Sequence, residues 1–346
     1  MSKHWFDCRS RTGAQLQSDA HGEKGNNTMK SVYLDWVVIQ HMKNSTKRGD
    51  VDGLAFKSLV LSLGDQYHFP YSEVHVRDLL APEAVSDEER KKDIEFLKEI
   101  SKGGRVFIKE GRCLIGNWDL DSLVSEVKVE SVAPDFPQLT ISSPQASIDM
   151  SKLDEDHPFY ELLKETDGKF DGSIMIKFLQ TVSDNMDDPA WYKKFRETIS
   201  NLKKKYLETP NTLADKSSEW GKGFIPFLDF YCVRDETLAR QKFRAALEAF
   251  LSIDGRSLRN LKWDEWVPMA YLILDFHADF RDRIKKENKP SNMYRDLEHF
   301  LHACGSEYFV TEDIGLFKKS SMISRSFGLP VKVVKMSGFM EAFKVA

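Results

Sequence analysis

The pattern of apolar residues divides the chain into three stretches. The first begins with an apolar strand at residues 31–34, continues with helical spacing, and closes with a hairpin predicted over residues 104–116. A Pro- and Ser-rich connection at about residues 130–165 leads to the second stretch, whose apolar residues recur at helical spacing. The third stretch, from residue 292, returns to alternating helices and strands. The pattern predicts an α/β unit interrupted by a helical block.

Local signals mark the ends of several elements. Ser72 and Ser86 are good N-cap residues, and Glu89 completes a capping box with Ser86. Strands predicted at residues 307–311 and 330–334 enclose one helix, and such short connections predict a parallel pair. Helices are predicted after Ser72 and at residues 37–42, 52–63, 86–100, 172–185, 189–208, 219–232, 235–253, 264–285, 292–304, 314–327 and 336–343. Core candidates in the helical block are Trp191, Phe195, Phe243, Phe250, Trp263 and Trp266.

Three acids stand where strands and helices of the α/β unit meet. Asp35 ends the first strand, Asp313 follows the strand at residues 307–311, and Asp296 lies on the preceding helix. In an open α/β sheet the ligand crevice lies outside the carboxyl ends of the strands, so these acids are expected to converge. Converging carboxylates suit a hard cation such as Mg²⁺ or Mn²⁺. The placement predicts a metal-dependent phosphodiesterase.

Composition limits the class of protein. A chain of 346 residues favours roughly two structural units. With 41% hydrophobic and 30% charged residues, and no apolar run of membrane-spanning length, we expect a soluble protein. The four cysteines stand far apart, which argues against a zinc ribbon or a disulfide framework and favours the cytoplasm.

Charge and motifs narrow the chemistry further. A net charge of -4 is not typical of nucleic-acid binders, but local lysine clusters can face a phosphate backbone or form solvated helix faces. These clusters are Lys203-Lys204-Lys205, Lys285-Lys286 with Lys289, and Lys318-Lys319. The chain has no Gly-x-Ser-x-Gly elbow, Walker A loop, Rossmann glycine fingerprint or His-Glu-x-x-His motif. Nucleophilic catalysis is therefore disfavoured.

The C-terminal acids lie in segments that resemble a known family. Asp296-Leu297-Glu298-His299, the run from Tyr308 to Lys319 with its Thr311-Glu312-Asp313, and Gly328-Leu329-Pro330-Val331 resemble the C-terminal half of PIN-domain nucleases. In that family a helix carries one acid, and a strand ending in Thr-x-Asp carries the next. Val32-Tyr33-Leu34-Asp35 resembles the family's first strand, and Phe69 to Leu79 resembles the stretch whose helix supplies the second acid.

The resemblance implies a three-layer α/β/α PIN-like fold with a central parallel sheet and a large helical insertion. It covers about 130 residues. The chain then divides into a disordered or loosely docked N-terminal tail at 1–28, an N-terminal part of the PIN-like domain at 29–80, a mainly helical insertion with a small hairpin at 81–270, and a C-terminal part of the domain at 271–346.

The resemblance also implies a set of functional residues. Asp35, Asp78, Asp296 and Asp313 are the expected metal ligands, and Thr311 is expected to hydrogen-bond a carboxylate or a metal-bound water. The implied function is a Mg²⁺- or Mn²⁺-dependent ribonuclease, with RNA favoured over DNA. The alternative is a catalytically silent PIN-like scaffold whose helical block binds a protein partner. The sequence leaves open whether the protein binds a regulatory protein partner and whether it forms a homo-oligomer.

Two positions depart from the family pattern. A small polar residue is usual two positions after the first Asp, where this chain has Val37, and the second acid is usually a Glu, where this chain has Asp78. Glu73 competes with Asp78, because it lies in the first turn of the same predicted helix. Val37 and the uncertain second acid favour the scaffold alternative.

Simpler roles stand beside the functional ones. Asp313 is also placed to cap the helix that follows it, and Asp296 could face solvent. His75 and His299 share a helix face with Asp78 and Asp296, and a hydrogen-bonded structural role is the favoured reading for both. Glu312 is expected to be a bystander. Asp275, Asp279 and Asp282 are expected to share one face of the helix predicted at 264–285. That face is expected to be solvated, with the alternative that one of the three acids joins the metal cluster.

Overall fold

The computed structural model describes most of the chain. The described residues are 30–81, 85–127, 160–170, 188–208, 219–252, 255–282 and 292–343, with short stretches between residues 146 and 185. The tail predicted at 1–28, the lysines at 285, 286 and 289, and most of the helix predicted at 172–185 lie outside these residues.

The described elements alternate between helices and short strands. The helices are α1 (Trp36–Arg48), α2 (Val51–Ser62), α3 (Glu73–Leu80), α4 (Asp87–Ser101), α5 (Leu120–Glu126), α6 (Tyr160–Lys164), α7 (Pro189–Glu208), α8 (Glu219–Cys232), α9 (Glu236–Ser252), α10 (Trp263–Asp275), α11 (Asn292–Ala303), α12 (Ile314–Phe327) and α13 (Met336–Phe343). The strands are β1 (Lys30–Leu34), β2 (Tyr67–His68), β3 (Gly104–Lys109), β4 (Arg112–Asn117), β5 (Ala146–Ser147), β6 (Lys169–Phe170), β7 (Tyr308–Val310) and β8 (Lys332–Val334). A single 3-10 turn lies at Met150–Lys152.

The chain forms two compact units. The first is built from the described parts of Met1–Ser131, Arg295–Ser324 and Gly328–Ala346, and the second from those of Val132–Tyr294 and Arg325–Phe327. The predicted insertion began at residue 81 and ended at residue 270. The first unit thus keeps the β3–β4 hairpin, and the second extends beyond residue 270.

A four-stranded sheet in the order β2-β1-β7-β8 organises the first unit. Every neighbouring pair in it is parallel, and Leu34 of β1 lies opposite Val310 of β7. Strands of a parallel sheet are covered on both faces, which accounts for the continuous apolar run of β1. The sequence prediction of a mixed α/β fold with a parallel sheet is confirmed.

The two faces of β1 serve different purposes because side chains alternate along a strand. Val32 and Leu34 lie in an apolar core that also contains Phe56 of α2 and Phe339 of α13. Tyr33 points to the opposite face and is fully buried. Its surroundings there are polar, as described below.

The predicted hairpin is confirmed as the antiparallel pair β3–β4. Its two-residue turn consists of Glu110 and Gly111, whose φ angles are +54° and +75°. Two consecutive positive φ angles are typical of the type I′ turn, whose twist matches that of the flanking strands.

In the second unit the predicted helices α7 and α8 have the expected bounds, and α9 differs by one residue at each end. Phe195, Phe243 and Trp266 are buried, as predicted for core residues. Trp191, Phe250 and Trp263 are only partly buried.

The helix predicted at 264–285 is too long. Helix α10 ends at Asp275, and the chain turns at Phe276 and His277. The His277 ring is buried and fixes this turn, with Nε2 3.0 Å from the carbonyl oxygen of Val233 and Nδ1 accepting from the Asp279 N–H at 3.2 Å. Asp275, Asp279 and Asp282 therefore do not share a helix face.

Asp275 is a buried charge rather than a solvated one. The Tyr192 hydroxyl donates to Asp275 Oδ2 at 2.7 Å, and the Arg196 guanidinium pairs with the same carboxylate. A buried carboxylate needs such partners because its desolvation is costly. Asp275 therefore has a structural role within the second unit.

Among the described residues no helix is long and apolar enough to cross a membrane.

Candidate functional site

The predicted acids of the first unit lie at the carboxyl edge of the sheet, and Asp35 is the innermost of those described. It follows β1, and its N–H donates to the carbonyl oxygen of Val310 at the end of β7. The Thr311 hydroxyl donates to Asp35 Oδ2 at 2.8 Å, and both side chains are buried. Parallel pairing of β1 with β7 thus brings together two residues that are far apart in sequence. Thr311 makes the carboxylate contact expected from its position.

Asp78 reaches the same place from helix α3. Its Oδ2 is 2.7 Å from Nε2 of His299 on α11, and the same nitrogen is 4.0 Å from Asp35 Oδ1. Asp78 is partly buried and His299 is buried. His299 therefore stands between the two carboxylates and contacts Asp78 directly.

A buried hydrogen-bond network lies behind this histidine. The Tyr33 hydroxyl is 2.9 Å from His299 Nδ1 and 2.7 Å from Ser72 Oγ. The Ser72 N–H donates to His75 Nδ1 at 2.9 Å, so His75 carries its proton on Nε2, which lies 2.7 Å from the carbonyl oxygen of Leu34. Both histidines are buried and hydrogen-bonded within the first unit.

Tyr33 and Ser72 were not identified as site residues from the sequence. The sequence predicts Ser72 only as an N-cap and Tyr33 only as part of an apolar strand. The available signal was the hydroxyl of Tyr33, because a buried Tyr usually finds a hydrogen-bond partner. The sequence carries no sign that this partner is His299.

Burial and neighbouring charges shift the titration of Asp35. Burial raises its pKa, His299 and the Thr311 hydrogen bond lower it, and the charges of Asp78 and Asp313 raise it, with a net increase above the ordinary value. A carboxylate whose neighbours are also acidic is costly to ionise without a cation. Burial, rather than the neighbouring acids, is the largest cause of the raised pKa of Asp35.

His299 is shifted by the same group of acids. Burial lowers its pKa, but the hydrogen bond to Asp78 and the charges of Asp78, Asp35 and Asp296 raise it above its ordinary value. All four predicted acids thus act electrostatically on Asp35 or on His299. Asp35 and His299 are therefore the central residues of the cluster formed with Asp78, Asp296 and Asp313.

Asp313 takes the capping role considered for it, and its charge also acts on Asp35. Its Oδ1 accepts from the Leu316 N–H at 2.8 Å as the N-cap of α12, while its charge acts on Asp35. Its own N–H donates to Thr311 Oγ1 at 3.1 Å. Asp313 is exposed, and Asp296 is partly buried on α11.

Glu73 belongs to a different cluster from Asp78. Arg77 Nη2 donates to Glu73 at 2.6 Å, and Arg77 Nη1 contacts both carboxylate oxygens of Glu298 at 2.7 and 2.9 Å. This arginine joins α3 to α11. Of the two candidates for the second acid, the structure places Asp78 beside His299, with Arg295 Nη1 at 3.4 Å from its Oδ1.

Other predicted residues lie at the margins of the site. Glu312 accepts from the Met336 N–H at 2.8 Å and caps α13, in keeping with a bystander. Val37, which stands where the family usually has a small polar residue, is 40% exposed. Lys319 is buried, so it does not face a phosphate backbone, whereas Lys318 and Lys204 are exposed.

The acids around Asp35 offer few ligands for a metal ion. Within the described ranges, no three His, Cys, Asp or Glu side chains are grouped in a way that could hold a metal ion. The chemistry of Asp35 and Asp78 suits Mg²⁺ or Mn²⁺, because Mg²⁺ is usually bound through one or two carboxylates and keeps several waters. A cation there would also offset the cost of ionising Asp35.

Comparisons with known proteins identify no relative of this chain. No family model, no curated protein and no solved structure matches the chain. The resemblance to PIN-domain nucleases therefore rests on the motifs of the chain itself.

Proposed function

We propose that the protein is a metal-dependent nuclease with a PIN-like fold that hydrolyses phosphodiester bonds, with RNA preferred over DNA. The observation that supports it is that Asp35 and Asp313 follow the carboxyl ends of β1 and β7, while His299 lies 2.7 Å from Asp78 and 4.0 Å from Asp35. Asp78 and Asp313 act on Asp35, and Asp78, Asp35 and Asp296 act on His299. Ligand sites of open α/β sheets lie at this edge.

Asp35 and Asp78 would hold the cation, with Asp296 and Asp313 at its periphery. Bound Mg²⁺ or Mn²⁺ supplies an activated water and neutralises charge on the reacting oxygens of a phosphodiester. Thr311 fixes the orientation of Asp35 through its hydroxyl. The preference for RNA comes from the family resemblance.

Arg295 adds a cation to this side of the cluster. Its side chain is 34% exposed and lies 3.4 Å from Asp78. A guanidinium in that position can also contact a phosphate oxygen through charge-assisted hydrogen bonds. It would offset repulsion between the acids and a nucleic-acid backbone.

The test is cleavage of labelled single-stranded RNA and DNA by the purified protein with Mn²⁺, Mg²⁺ or EDTA. We expect metal-dependent cleavage that Asp35→Asn abolishes. The matched control is Asp65→Asn, because the Asp65 side chain is 98% exposed and precedes β2, whose residues pair with the opposite end of β1. Cleavage that persists in Asp35→Asn, or in EDTA, would refute the proposal.

One observation favours the scaffold alternative. His299 Nε2 already occupies the space beside Asp78 and lies near Asp35. A histidine that is hydrogen-bonded to Asp78 in this way is what we expect of a site that binds no metal ion. Under this alternative, Mn²⁺ would produce no thermal stabilisation, because only a ligand that binds the native state raises its stability.

A further inference from the structure

Tyr33 lies at the centre of the polar network yet touches none of the four acids in the hydrogen bonds described above. Its side chain is fully buried, and its hydroxyl is within 3.0 Å of both His299 Nδ1 (2.9 Å) and Ser72 Oγ (2.7 Å). Its strand neighbours Val32 and Leu34 are apolar. Phe would fill the same space, so the hydroxyl serves the polar network rather than the packing.

We propose that Tyr33 is a positioning residue that holds the His299 ring and, through it, the Asp78 carboxylate. This inference rests on the proposed function, because it concerns the orientation of a proposed metal ligand. Two contacts link Tyr33 to Asp78. The Tyr33 hydroxyl contacts His299 Nδ1, and His299 Nε2 lies 2.7 Å from Asp78 Oδ2. Partners of this kind orient the ligands of metal sites.

The donor and acceptor pattern supports the role. His75 Nδ1 already accepts the Ser72 N–H, so the His75 ring is held in one orientation and fixes one side of the network. The Tyr33 hydroxyl both donates and accepts, so it can complete the bonding of Ser72 and of His299 at once. His299 is then held at both nitrogens, one by Tyr33 and one by Asp78.

Tyr33→Phe removes one oxygen and leaves the packing volume nearly unchanged. The matched control is Tyr71→Phe, because Tyr71 is also fully buried and its hydroxyl donates to the carbonyl oxygen of Trp118 at 3.1 Å, away from the acids. Tyr33→Phe removes hydrogen bonds to two partners, His299 Nδ1 and Ser72 Oγ, whereas Tyr71→Phe removes one to a backbone carbonyl. Both variants therefore lose buried hydrogen bonding, and a purely structural effect would be seen in both.

Two measurements separate positioning from stability. The first is the ¹⁵N chemical shifts of the His299 ring in the metal-free protein, which report the hydrogen bonding of each nitrogen. The second is the Mn²⁺ dissociation constant from calorimetric titration. Loss of a partner that orients a metal ligand typically weakens metal binding by about 10- to 100-fold. We expect Tyr33→Phe to shift the His299 Nδ1 resonance and to weaken Mn²⁺ binding at least tenfold, with neither change in Tyr71→Phe.

The outcomes distinguish the two proposals. Unchanged His299 resonances in Tyr33→Phe, or Mn²⁺ affinity equal to that of the wild type, would overturn the positioning role. Absence of Mn²⁺ binding by the wild-type protein would instead overturn the proposed metal site, and with it any role of Tyr33 in positioning a ligand. In that case the His299 resonances would still show whether Tyr33 orients the ring.

Discussion

Asp35 combines burial with a position among other acids, and both effects disfavour its ionised form. Its folded-state pKa is raised, chiefly by burial. The carboxyl group therefore stabilises the fold while it is protonated, and this contribution is lost as the pH rises through the folded-state pKa. In the absence of metal, the ionised form of Asp35 lowers the stability of the fold.

Asp35→Asn is expected to stabilise the metal-free protein. Asn cannot ionise and keeps an oxygen that can accept from Thr311, so the melting temperature at pH 7 should rise by roughly 2–4 °C, which corresponds to about 1 kcal/mol for a domain of this size. The difference should shrink as the pH approaches 4. Calorimetry in EDTA at both pH values measures it, with Asp65→Asn as the control. A lower melting temperature for Asp35→Asn at pH 7 would contradict the prediction.

At this scale the sequence predicted the acids but not their partners. Asp35, Asp313 and Thr311 could be identified because each lies next to a strand end that is visible in the chain. The contact between His299 and Asp78 depends on how α11 lies against α3, and nothing local to either helix encodes it. Lys319 shows the same limit, since its burial depends on the packing of α12.

Helix α3 is joined to α11 by an arginine that binds two carboxylates. Arg77 uses one nitrogen for Glu298 and the other for Glu73, and all three side chains are partly buried. Lys offers a single point charge and cannot reproduce the two-sided contact. Arg77→Lys should lower the free energy of unfolding by about 1–3 kcal/mol, since a partly buried charge is left without its partner.

Urea unfolding measures this loss. The control is Arg90→Lys, because Arg90 pairs on α4 with the fully exposed Asp87 at 3.2 Å, and such surface pairs contribute about 0–1 kcal/mol. Equal effects of the two substitutions would show that Arg77 does not hold α3 against α11.

The turn of the β3–β4 hairpin carries an unfavourable residue. Glu110 has a φ of +54°, a conformation that side chains other than Asn, Asp and Gly rarely adopt. Glu110→Asn should therefore raise the free energy of unfolding by about 0.5–1 kcal/mol, because Asn-Gly is the preferred type I′ pair. Urea unfolding tests this, and Gly111→Ala should have the opposite effect. Destabilisation by Glu110→Asn would contradict the turn assignment.

Elements were predictable where their signals are local. Ser72, Ser86 and Glu110-Gly111 set the beginnings of two helices and the turn of the hairpin, and the structure has them there. The end of α10 was missed because helical spacing continues past Asp275. There a buried contact between His277 and the carbonyl oxygen of Val233 overrides the local pattern.

The pH dependence of the fold should be governed partly by His75, which is buried, and His302, which is partly buried. Burial lowers the pKa of His75, and it lowers that of His302 to about 4. A lowered pKa gives stability that is present above about pH 6.5 and is lost as the pH falls through the folded-state value. His299 has a raised pKa and acts in the opposite direction, so it adds stability below about pH 6.5.

His302→Gln should reduce the acid sensitivity of the molecule. Gln can still donate to the carbonyl oxygen of Glu298, which His302 Nδ1 contacts at 2.8 Å, but it does not have to stay unprotonated. The loss of unfolding free energy between pH 7 and pH 4.5 should shrink by roughly 2 kcal/mol. Urea titrations of both proteins at the two pH values measure this, and parallel pH profiles would contradict it.

The two-unit organisation was anticipated from length and helical spacing, although the units divide the chain at different residues from those predicted. The described residues of 85–127 belong to the first unit, where β3 is joined to Tyr71, between β2 and α3, by an isolated parallel bridge. Helical spacing alone does not reveal which helices share a core. Three strands of the parallel sheet were predictable, since β1, β7 and β8 are short apolar runs, whereas β2 comprises only Tyr67 and His68 and carries no such signal.

The most direct test of the account is the position of Mn²⁺ in crystals soaked with MnCl₂, located by anomalous diffraction. We expect a peak within about 2.0–2.3 Å of the Asp35 and Asp78 carboxylates, which is the range for oxygen ligands of such ions. A map with no peak at the carboxyl edge of the sheet, and with His299 still hydrogen-bonded to Asp78, would contradict the proposed metal site.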